Sequence, residues 1–107
     1  VTQILHIFGR DDDIRYEAEH GAYALPFEAT FELDDEASDY YLKGDILRSK
    51  NGLESVLIHA WDASFQGPSS IKQEVINTLH QNHEFQVLQQ VLKVSMSAVV
   101  HDLPTNT

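Results

Sequence analysis

Cysteine is missing from the 107 residues, which excludes a disulfide framework, a thiolate metal site and a thiol nucleophile. Bases are scarce: 7 Lys and Arg stand against 17 Asp and Glu, a formal net charge of -10 at pH 7. Binding to a phosphate backbone draws its affinity from clustered cations that release counterions. The bases of this chain are scattered, so neither direct nucleic-acid binding nor attachment to an anionic membrane is expected. No apolar run approaches the roughly 18 residues of a membrane span. The opening VTQILHIFGRDDD also lacks the basic leader of a secretory signal, and a cytoplasmic protein is the expectation. There is no GxSxG elbow, no glycine-rich phosphate loop, no internal repeat and no low-complexity block. No catalytic residue and no cofactor is therefore assigned.

What is present suffices for one core. With 42% hydrophobic residues, the chain reads as a single domain over residues 1–103 with a short tail at 104–107. The pair Asn51-Gly52 in RSKNGLES is the signature of a two-residue type I′ hairpin turn, in which both positions take positive φ. It predicts strands at about 40–49 and 54–62. With Lys50 facing Leu53, Ile46 meets Leu57, Gly44 meets His59 and Leu42 meets Trp61. The preceding run alternates Phe27, Ala29, Phe31 and Leu33 with Glu28, Thr30 and Glu32, a strand with one buried face. Pairing Leu33 with Tyr40 brings Phe31 opposite Leu42, Ala29 opposite Gly44 and Phe27 opposite Ile46. Upstream, Gln3 to Phe8 reads as a strand. Ile14, Tyr16 and Ala18 read as another, although a helix from Asp13 to Gly21 fits the spacing nearly as well.

After Trp61 the period changes. Ser70 and Gln73 form a capping box that starts a helix over about 70–81, with Ile71, Val75, Ile76 and Leu79 on one stripe. The stretch from about 84 to 100 reads as a second, mostly buried helix, in competition with a terminal strand over 92–100. On a helical wheel Phe85, Leu88, Leu92, Met96 and Val99 form a band for the sheet. Val87, Val91, Val94 and Ala98 form a second band beside it. A contiguous apolar patch is seldom left bare on a soluble monomer, so these four residues are assigned to a homodimer interface. The fold expected is α+β: a two-layer domain in which an antiparallel sheet of four to five strands carries two C-terminal helices on one face.

Three constellations bear on function. The loop FELDDEASDYYLKGD puts Asp34, Asp35, Glu36 and Asp39 in water, where they suit a partner protein with a basic surface. It lacks the ligand alternation and distal Glu of a calcium loop. His80 and His83 are three apart, but no third ligand is placed near them, so no metal site is assigned. His59, in a row with Ala29 and Gly44 on the core face, leaves space above the sheet rimmed by Phe31, Tyr40 and Trp61. That space is a candidate ligand pocket, and a carboxylate–histidine pair such as His59 and Asp62 is of the type that does acid-base work, though such pairs are common by chance. The leading expectation is a non-enzymatic acidic interaction module, such as an inhibitor, an immunity-like factor or a regulatory subunit. The alternative is a small-molecule binder using the pocket near His59 and Trp61.

Overall fold

The computed structural model describes residues 2–34 and 38–102, with side chains through Ser97. Asp35, Glu36 and the expected tail at 104–107 lie outside the described residues, as does the side chain of Ala98. Five strands form one antiparallel sheet: β1 (Thr2–Gly9), β2 (Arg15–Glu17), β3 (Ala22–Leu33), β4 (Tyr40–Ser49) and β5 (Glu54–Trp61). Their order is β1-β3-β4-β5, with β2 also paired to β3. Helices α1 (Ser69–Gln81) and α2 (His83–Asp102) follow, and both pack on the same face of the sheet. Val75 and Leu79 of α1, and Phe85, Leu92 and Met96 of α2, share one buried cluster with Leu25, Phe27, Ala29, Phe31, Leu42 and Ile46. The α+β architecture matches the pattern of the sequence, and the segment over 92–100 is helix rather than strand.

The long central strand β3 reaches five residues further upstream than the Phe27 boundary: Leu25 continues the core face, while Ala22 and Ala24 are buried on the opposite face. Pro26 sits inside it without breaking the sheet. Its carbonyl accepts the Arg10 N–H at 2.8 Å, so its imino nitrogen faces the same side, the gap where β1 ends and the chain turns. No ladder bond to β4 is lost there. The short strand β2 confirms the extended reading of the Tyr16 region and excludes the helix.

Two registers differ from expectation. Phe31 pairs with Tyr40, Ala29 with Leu42, Phe27 with Gly44 and Leu25 with Ile46, a shift of two residues from the Leu33–Tyr40 pairing. An even shift preserves the faces, so the assignment of Phe27, Ala29 and Phe31 to the core stands. The second difference changes a face. The Asn51-Gly52 turn is a three-residue loop, Lys50-Asn51-Gly52, closed by Ser49 N–H to Leu53 O (3.0 Å) and Gly52 N–H to Ser49 O (2.9 Å). Only Gly52 of the pair takes positive φ, at 90°, the geometry of a type I turn ended by a bulge. The Ser49 hydroxyl donates to Asn51 Oδ1 and accepts the Leu53 N–H, which tightens the loop without forcing Asn51 into the left-handed region. The register near the turn therefore slips by one: Ile46 pairs with Val56, Asp45 with Leu57 and Gly44 with Ile58.

A bulge then restores the expected pairing of Leu42 with Trp61. His59 is the extra residue of that bulge. Gly44 allows it, since a Cβ there would lie 2.4 Å from the Leu57 carbonyl oxygen. Val56, Ile58 and Trp61 consequently face the core. Leu57 packs with Ala22, Ala24 and Leu47 on the opposite face, and the expected pairing of Gly44 with His59 does not form.

The helices also depart locally from the sequence reading. Ser70 does not cap α1; Pro68 occupies that position, and its carbonyl accepts the N–H groups of Ile71 (3.0 Å) and Lys72 (3.1 Å). At the other end Asn82 joins the helices. Its N–H reaches Leu79 O at 3.0 Å, while its side-chain Oδ1 accepts the Phe85 N–H at 3.1 Å, so one residue ends α1 and caps α2.

Candidate functional site

The residues expected to rim a pocket divide between the two faces of the sheet. Phe31, Tyr40 and Trp61 are together on the core face, but the space among them is filled by Phe65. Its ring centroid lies 5.3 Å from Phe31, 5.3 Å from Tyr40 and 5.4 Å from Trp61, and the residue is buried. The chain is folded back to place it by Asp62, whose N–H donates to Tyr41 O at 2.8 Å. One Asp62 oxygen accepts the Ser64 N–H and hydroxyl (2.9 and 2.7 Å), and the other accepts the Tyr41 N–H at 3.2 Å. The hydrogen bond from the Ser64 hydroxyl, reinforced by those from the Ser64 and Tyr41 backbone, holds the Asp62 carboxyl below the usual carboxylate range. Asp62 is a structural clasp for the turn and not a partner of His59.

His59 projects from the other face of the sheet. Its Nε2 lies 2.6 Å from Oδ2 of Asp45, a residue only 4% exposed. The same oxygen accepts from Arg15 Nη2 at 3.3 Å. The core placement of His59 is thus corrected, for a physical reason: the three-residue turn slips β5 by one, which turns His59 outward on the side of Leu57, and the bulge that follows returns Trp61 to the core. Beside this dyad, Arg10 Nη2 donates to Glu28 at 2.9 Å and Lys43 Nζ lies 3.9 Å from the other Glu28 oxygen. Arg10, Glu28, Lys43, Gly44, Asp45 and His59 line a depression of about 270 Å³. Next to it, Phe8 and Tyr41 are half-exposed on the same face. The face opposite the helices is therefore where His59, its charged neighbours and the exposed rings of Phe8 and Tyr41 gather, and sequence reading missed it because Asp45 and His59 were placed on opposite sides.

The remaining candidates are dispersed. Asp34 takes φ 46°, a conformation its short side chain tolerates, and both it and Asp39 are exposed. On α2, Val87 and Val94 are 46% and 57% exposed, while Val91 is half-buried against the core. The His80 ring rests against Phe85 with centroids 5.3 Å apart, and among the described residues no three His, Cys, Asp or Glu converge as metal ligands. No described helix is long and apolar enough to cross a membrane. Compared with protein-family models, curated proteins and solved structures, the chain matches none.

Proposed function

We propose that the chain is a non-enzymatic protein-interaction module whose partner presents a basic surface. The observation that carries this reading is how the bases are used. Arg10 and Lys43 are held at Glu28, Arg15 at Glu17 and Asp45, and Arg48 at Glu54. Lys50 and Lys72 lie over the rings of Tyr16 and Trp61. These contacts spread the bases among acids and rings, so the excess of 17 acids over 7 bases leaves the surface field negative overall. Asp34, Asp35, Glu36 and Asp39 stand within six positions of the sequence and are the acids proposed to face the partner. A cytoplasmic setting belongs to the same proposal. Neutralising the loop with Asp34→Asn, Asp35→Asn and Glu36→Gln is expected to slow association with a captured partner about tenfold at low salt and to flatten its salt dependence, since such charges act mainly on steering. The melting temperature should stay nearly unchanged. An association rate indifferent to the triple change would remove the loop from the interface.

The same reading includes a two-fold homodimer formed through α2. Val87, Gln90, Val91, Val94 and Ser95 line a groove of about 330 Å³, and Val87, Val91, Val94 and Ala98 follow the 4-3-4 spacing of a helix-packing seam. None of these residues is charged in a chain of net charge -10, so this is a surface on which two copies can meet without like-charge repulsion. Because Val91 also touches its own core, Val94 is the cleaner probe. Val94→Glu should halve the mass seen by sedimentation from twice 12.1 kDa to once, by burying an unpaired charge from each copy. A wild-type chain that sediments as a monomer at about 100 μM, far above the affinity of an obligate interface, refutes the dimer.

A further inference from the structure

We propose that the depression on the open face of the sheet binds the anionic end of a small ligand, a carboxylate or phosphate group, between Arg10 and Lys43 with His59 beside it. The cations there have more donors than the protein fills. Arg10 stacks over Phe8, its guanidinium carbon 5.4 Å from the ring centroid, and directs one N–H to Glu28 at 2.9 Å. Guanidinium carries five such donors. Lys43 approaches the same carboxylate only to 3.9 Å, beyond a hydrogen bond. One carboxylate is shared by two cations, both of which line the open depression.

Asp45 does not compete for them. Its buried Oδ2 already receives His59 Nε2 at 2.6 Å and Arg15 Nη2 at 3.3 Å. That contact fixes the imidazole ring and makes Nε2 the nitrogen that donates to the carboxylate. Nδ1 of His59 has no protein partner among the described residues and is the ring nitrogen left for a bound ligand. The β5 register supplies the placement: the slip at the turn puts His59 on the side of the sheet where Lys43 and Arg10 lie, and the bulge lets it stay there while Trp61 returns to the core. The net charge of -10 does not prevent binding, because at physiological salt distant charges are screened over about 8 Å and the nearest groups decide. A volume of about 270 Å³ accommodates a small molecule rather than a protein segment.

The test is an NMR titration of the full chain with inorganic phosphate and, separately, acetate. Saturable shifts of the His59 ring and of the Lys43 and Gly44 amides with either anion are the expected result, and the tighter of the two identifies the group. Lys43→Met, Arg10→Gln and His59→Gln should each weaken binding about tenfold, the loss of one charge-assisted hydrogen bond. Lys72→Met, which removes a cation from beside Trp61 on the helix side, should leave it unchanged. Should Arg10→Gln perturb the fold, Lys43→Met, at a side chain 56% exposed, still reads the site. Shifts that remain linear with both anions to about 20 mM, or an affinity that ignores Lys43→Met and His59→Gln alike, overturn the proposal.

Discussion

Phe65→Ala is expected to lower the stability of the fold by about 4 kcal/mol, the range for removing a large buried aromatic, and the melting temperature by on the order of 20 °C. Phe65 belongs to no helix or strand, yet its ring meets Phe31 and Tyr40 at 5.3 Å and Trp61 at 5.4 Å. It joins the end of the sheet to the start of α1. Gly67 reports the tightness of that packing, because a Cβ there would come within 2.4 Å of the Phe65 ring. Thermal denaturation of the variant is the check. A change of less than about 1 kcal/mol, the typical effect of a point mutation, would mean that the ring is an ornament of the loop and that the three other aromatics enclose an open pocket.

Gly44→Ala should cost about 3 kcal/mol, a large effect for one methyl group, through overpacking against rigid backbone. The added Cβ would stand 2.4 Å from the Leu57 carbonyl oxygen and 3.1 Å from the Ile58 Cα, and neither can rotate away. The bulge itself must yield. Besides the shift in chemical denaturation, the variant should lose the contact of His59 with Asp45, which is readable in the imidazole resonances. A stable variant with the His59 signals intact would show that β5 reaches its register without help from Gly44.

The fold was legible because the strongest signals were redundant. The alternation of Phe27, Ala29 and Phe31 with polar residues, the strand ends about Asn51-Gly52 and the helical stripe of Phe85, Leu92 and Met96 each imply the same two layers. The error in the candidate site came from a single parity. A two-residue turn and a three-residue turn are both served by Asn-Gly, and they differ by one step of a period-2 pattern. The sequence did carry the correction: Val56 and Ile58 are two apart, whereas Ile58 and Trp61 are three apart, so the apolar face can be continuous only if the strand gains a residue between them. Read with that break, His59 leaves the core. Phe65 was not legible at all, since a lone aromatic in a loop has no periodicity and its role depends on the Asp62 clasp.

The strands at the two ends of the β1-β3-β4-β5 order each carry an extra residue. In β5 it is His59, and in β1 the register shifts between Ile4 and His6, leaving Leu5 without a cross-strand partner. An edge strand offers a row of main-chain donors and acceptors to any passing chain, and it polymerises when that row is straight enough to be copied. Here β1 and β5 are each interrupted in mid-strand, so a segment adding to either would lose register after a few residues. The irregularity that presents His59 thus also limits growth of the sheet. A variant with β5 straightened, whatever its affinity for ligands, would be more prone to fibrils.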